Sequence, residues 1–167
     1  MHHAGDQQGV ITGLVGLLGN GGRLALAEGG LAERHLPWDL GVGVPGIEIR
    51  LDAAQDRWFG KMRAELPGSV PMPYGWAQAL RLAGLGHIAT TSVLFQEPAP
   101  LPLPGRDAVL AHLTHRVDRL ASDGFLDNGD SAAWKQLLDP GDPAWLGQRE
   151  DLFSLSARTL YVGVREL

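Results

Sequence analysis

Apolar residues recur along this chain at two spacings, every three to four positions and every second position, and the switches between them mark out helices and strands. Residues 6–18, DQQGVITGLVGLL, predict a helix, with Asp6 placed to accept backbone N–H bonds as its cap and Val10, Leu14, Leu17 and Leu18 at helical spacing. Its internal glycines oppose it by about 1 kcal/mol each relative to alanine. GNGG (19–22) closes it, and RLALAE (23–28) reads as a short strand ended by Gly29 and Gly30. The strongest helical pattern is IEIRLDAAQDRWFGKMRAEL (47–66). Ile47, Leu51, Ala54, Trp58, Met62 and Leu66 line one face, and Glu48, Arg50, Asp52, Asp56, Arg63 and Glu65 lie on the other. PGSVPMP (67–73) stops it.

YGWAQALRLAGL (74–85) predicts a second, shorter helix, and the β-branched HIATTSVLFQE (87–97) a strand. PAPLPLPG (98–105) is a proline linker. RDAVLAHLTHRVDRLAS (106–122) is an amphipathic helix with Val109, Leu113, Val117 and Leu120 inward. Asp130 stands where it caps a further helix, SAAWKQLL, and Pro143 opens one more turn. DLFSLSARTLYVGVREL, at the C-terminal end, alternates over a long strand. The order predicts an α/β fold around a short open sheet with three main strands and at least one unpaired edge.

The 167 residues suffice for one domain with a core, and 44% hydrophobic with 20% charged residues is ordinary for a globular chain. A net charge of -5 without a basic run argues against a nucleic-acid partner. The absence of cysteine excludes disulfides, thiolate zinc sites and cysteine nucleophiles. No apolar run has the length of a membrane span, and MHHAGDQQ lacks the features of a signal peptide, so a cytoplasmic protein is expected.

GVGVPG (41–46) has the Gly-x-Gly-x-x-Gly spacing of a dinucleotide loop. The context is wrong for one. LPWDL ahead of it is not strand-like, Pro45 removes an N–H that a phosphate would use, and no acidic residue closes a second strand about 20 residues on. The expectation is a flexible entrance to the helix at 47–66.

HHAGDQQGVITGLVGLLGNGGRLALAEGG resembles the middle of a class I S-adenosylmethionine-dependent methyltransferase. In that family an "LHH"-like strand end and an acidic residue lead into a helix, which closes with an "LKPGGRL"-type turn into the next strand. His2-His3, Asp6, the helix 7–18, Leu18 to Leu24 and the strand 24–28 match those parts. YGWAQALRLAGLGHIATTSVLF resembles the helix and turn before the family's sixth strand. The resemblance implies a C-terminal part of a Rossmann-like methyltransferase fold over 1–167. A substrate lid would occupy 31–73, the helix and strand 74–97, and a helical insertion 104–147. The final strand, within 150–167, would run antiparallel to its neighbours in a short mixed sheet. It also implies that the cofactor's glycine loop and the acidic residue for its ribose belong to an N-terminal half that precedes the matched parts.

The implied activity of the intact parent is transfer of a methyl group from S-adenosylmethionine to a small organic molecule. The alternative is a non-catalytic remnant or interaction module that pairs through its exposed sheet edge, with a second copy or with the missing N-terminal half. By resemblance, His2 and His3 lie beside the cofactor and the transferred methyl, and Asp6 is a further cofactor candidate. Glu28, at a strand end, and Arg34, His35, Trp38, Asp39 and Tyr74 are candidate substrate contacts, with Trp58, Phe59 and Trp76 as apolar walls. A histidine in such a site can act as base for an acidic hydroxyl or carbon acid. His112 and His115 share a helix face but have no carboxylate at ligand spacing, so no metal site is expected. Asp123, Asp127, Asn128 and Asp130 fail the spacing of a calcium loop and read as turn and cap residues.

Overall fold

The computed structural model describes residues 3–166. Helices α1 (Gln7–Gly16), α2 (Ile47–Glu65), α3 (Trp76–Leu82), α4 (Leu103–Ser122) and α5 (Asn128–Leu138) alternate with strands β1 (Arg23–Ala27), β2 (Leu85–Glu97) and β3 (Ser154–Arg165). The chain divides into two compact units, one of Met1–Leu31, Met62–Leu94 and Ala157–Leu167, the other of Ala32–Lys61 and Phe95–Ser156.

In the first unit Asp6 caps α1 as its sequence position requires, accepting from the Gly9 N–H at 2.7 Å. The buried face of α1 is not the expected one. Gln7, Ile11 and Val15 turn inward, whereas Val10 and Leu14 remain 42% and 36% exposed. Apolar residues surround most of this helix, so spacing alone did not single out a face. At its C-terminal end the Arg165 guanidinium donates to the carbonyls of Val15 (3.1 Å) and Leu18 (2.6 Å), the first of which also accepts from the Leu18 N–H. Ile11, Val15, Leu26, Ala79, Leu80 and Leu85 form the core of this unit.

The strand order is β1-β3-β2 among the described residues. β3 runs antiparallel to β1 in the register Arg23↔Val164 to Ala27↔Leu160. The sheet is antiparallel at each contact rather than mixed, because the last strand lies between the other two. Gly163 makes room for this arrangement, since a Cβ there would meet the side chains of Leu85 and Ile88 at 2.8 Å.

The second unit is built on α4 and α5. Val109, Leu113, Val117 and Leu120 point inward as predicted, against Trp134, Leu137, Ile47 and Leu51, all buried. Each such leucine contributes roughly 1.5–3 kcal/mol by leaving water. The cap of α5 is Asp127, whose carboxylate accepts from the Asp130 N–H at 2.8 Å, and not Asp130, so the helix begins earlier than the sequence suggested. No helix among the described residues is long and apolar enough to cross a membrane.

Candidate functional site

The GVGVPG loop is folded for a structural purpose. Gly41, Gly43 and Gly46 take positive φ angles of 72°, 65° and 81°, which L side chains rarely adopt. The carbonyls of Val44 and Pro45 accept from the Arg50 guanidinium at 2.8 and 2.7 Å. The same guanidinium grips the Asp130 carboxylate through Nε (2.9 Å) and Nη2 (2.7 Å). The loop thus turns two carbonyls toward a cation, whereas a phosphate cradle must present N–H groups.

α2 and α4 bring a polar seam to the core of the second unit. Glu48, assigned to the solvent face by its sequence position, is buried at 4% exposure. Its two oxygens accept from the backbone N–H groups of His35 (2.9 Å) and Leu36 (3.2 Å), which holds the incoming chain against α2. Burial raises the Glu48 carboxyl above its ordinary value, with those two hydrogen bonds acting the other way. One turn on, Asp52 pairs with Arg34 and with Arg116, the latter at 2.7 Å. Next, Gln55 accepts from Arg119 at 2.6 Å. Trp58 is partly buried against the core, its Nε1 donating to Asp123 at 2.8 Å and its ring under the Arg119 guanidinium at 4.3 Å.

Beside this seam, Glu33, His35 and His112 converge. His35 is 3% exposed, and its Nδ1 lies 3.3 Å from the carbonyl oxygen of Phe153. A carbonyl only accepts, so Nδ1 carries the proton and Nε2 presents its lone pair. That Nε2 is buried without a hydrogen-bond partner. It lies 3.7 Å from a Glu33 carboxylate oxygen, and the His112 Nε2 lies 3.6 Å from the same oxygen. The two imidazoles meet edge to face, 5.6 Å between centroids. Burial lowers the pKa of both histidines, with Glu33 opposing and Arg116 reinforcing the shift.

Of the candidates named from sequence, Arg34, His35, Trp38 and Asp39 belong to the second unit, and Glu28, Tyr74 and Trp76 to the first. Arg34 is held by Asp52, and its backbone bridges to Leu155. Trp38 is 65% exposed, and its carbonyl accepts from the Gly46 N–H at 2.7 Å. Asp39 caps the loop by accepting from Gly41 at 2.9 Å. Tyr74 donates to Gln8 at 3.1 Å. The Glu28 N–H continues the β1–β3 pairing by donating to the Thr159 carbonyl at 3.0 Å. His3 is exposed near the start of α1, beside the capping Asp6, and His2 lies outside the described residues. The sequence reading did not single out Glu33, placed Glu48 on the polar face of its helix, and considered His112 only beside His115, on the same helix face. His115 lies on the exposed part of α4. Comparison with protein-family models, curated proteins and solved structures finds no match to this chain.

Proposed function

We propose that this chain forms the acceptor-side part of a class I S-adenosylmethionine-dependent methyltransferase and takes part in methyl transfer to a small organic molecule. The observation that carries the reading is the sheet. The resemblance implies a last strand antiparallel to its neighbours, and β3 lies between β1 and β2 and runs against β1. The path from the Asp6 cap through α1 and the glycine turn into β1 follows the order that the resemblance implies.

His3 and Asp6 would meet one edge of the cofactor, at the start of α1. No glycine loop suited to its phosphate-free, methionine-bearing end is found among the described residues, since the carbonyls of GVGVPG are committed to Arg50. The remaining contacts then come across β1, which among the described residues pairs with β3 alone and presents its second edge for strand addition. Bound there, the cofactor supplies the methyl group. The chain's own contribution is orientation and exclusion of water.

The same open edge favours a second reading, an interaction module without catalysis. Melting the folded chain with and without S-adenosylhomocysteine separates them. Product at about 100 times its dissociation constant would stabilise the fold by about 2.7 kcal/mol. An unmoved transition, in a sample that light scattering shows to be an assembled dimer, favours the module.

A further inference from the structure

The geometry points to a divalent metal site formed by Glu33, His35 and His112, for a first-row transition ion of zinc-like preference. The inference rests on the second unit alone and is independent of the methyltransferase reading.

Two imidazole nitrogens and one carboxylate oxygen lie within 4.8 Å of one another. The carboxylate stands 3.7 and 3.6 Å from the two Nε2 atoms, too far for hydrogen bonds. An ion bound at about 2.0–2.1 Å to each ligand needs them about 3.3–3.6 Å apart, so the carboxylate already stands within a few tenths of an ångström of ligand spacing from each imidazole, and binding would draw the two imidazole nitrogens together from within 4.8 Å. The buried His35 Nε2 is aimed into this gap with no hydrogen-bond partner. An orphaned buried nitrogen is costly, and a metal ion answers that cost with a bond.

For His35 the second shell is also in place. Ligating histidines characteristically donate their other ring N–H to a carbonyl or carboxylate, which fixes the tautomer. Phe153 does this for His35. Positive charge from Arg116 disfavours a cation here, and nearby carboxylates offset it in part. Asp52 pairs with both Arg34 and Arg116, and Glu33 adds a negative charge beside the imidazoles. Three protein ligands leave at least one position open, the arrangement of metal sites that bind water or a substrate oxygen.

The test is calorimetric titration of the chelator-treated full chain with zinc chloride near neutral pH, followed by visible spectroscopy with cobalt(II) in place of zinc. The expected result is one ion per chain at micromolar or tighter affinity, and cobalt bands of a low-coordinate site. His112→Ala and Glu33→Gln, both at positions open to solvent, should keep the circular dichroism of the wild type. Each should weaken zinc at least tenfold and abolish the cobalt bands, while His115→Ala leaves both unchanged. Absence of a saturable site in the wild type, survival of binding in both ligand variants, or its loss in His115→Ala overturns the assignment. Zinc binding without response to S-adenosylhomocysteine would remove the methyltransferase reading and leave the metal site; the reverse pattern would do the opposite.

Discussion

The Nδ1 of His35 faces the carbonyl oxygen of Phe153 at 3.3 Å, and this one contact decides which nitrogen of a buried imidazole carries its proton. Both His35 and its neighbour His112 have pKa values below 6.5, chiefly through burial. The unfolded chain therefore binds protons more readily than the folded one. The stability these histidines confer is present above about pH 6.5 and is lost as pH falls through their folded values. In the presence of chelator, the urea midpoint should drop between about pH 7 and pH 5, and the drop should flatten in a His35→Gln, His112→Gln double variant. An unchanged slope in that variant would place the acid sensitivity elsewhere.

Glu48 has the opposite sign. Its raised pKa means that its contribution is full below 4.5 and is lost as pH rises through its folded value. Its larger role is geometric, as the acceptor for two buried backbone N–H groups. Glu48→Ala leaves both without a partner and should cost at least about 2 kcal/mol in denaturant unfolding at neutral pH. Glu48→Gln keeps one acceptor and should cost about half as much.

Arg50 and Asp130 are predicted to act together. Asp130→Asn removes the charge from a carboxylate that is 8% exposed and should cost roughly 1–3 kcal/mol. Arg50→Ala should cost more, because the carbonyls of Val44 and Pro45 lose their donor as well. A double-mutant cycle measures the shared part, and strict additivity would show that the pair is not coupled.

In the first unit, Arg165→Met should remove the side-chain donor from the Val15 and Leu18 carbonyls at the end of α1 and cost about 1–2 kcal/mol. Hydrogen exchange should quicken in the last turn of α1 and the turn at 19–22, ahead of any change in α4. Uniform loss of protection in both units would contradict so local a role.

The legibility of this chain divides along physical lines. α2 and α4 were readable because each carries a single apolar stripe, and Val109, Leu113, Val117 and Leu120 lie where that stripe places them. α1 was readable as a helix but not in its facing, since apolar residues surround it and Ile11 and Val15 won the interior over Val10 and Leu14. Asp127 and Asp130 are equally good caps by type, and only the tertiary pull of Arg50 on Asp130 separates them. The site itself was half visible. His35 and Arg34 stood out as residues able to do chemistry, but Glu33 and His112 join His35 from distant stretches, and spacing along a chain carries no signal for that. Glu48 misled because a carboxylate on a polar stripe normally faces water, and here two backbone donors hold it inside.

The most direct test of the proposed function is calorimetric titration of the folded chain with S-adenosylhomocysteine, at a concentration where light scattering shows its state of association. Methyl transfer by this protein predicts saturable heat at micromolar affinity, about -8 kcal/mol, with no more than one product molecule per chain. A flat titration from a folded sample, associated or not, would contradict it.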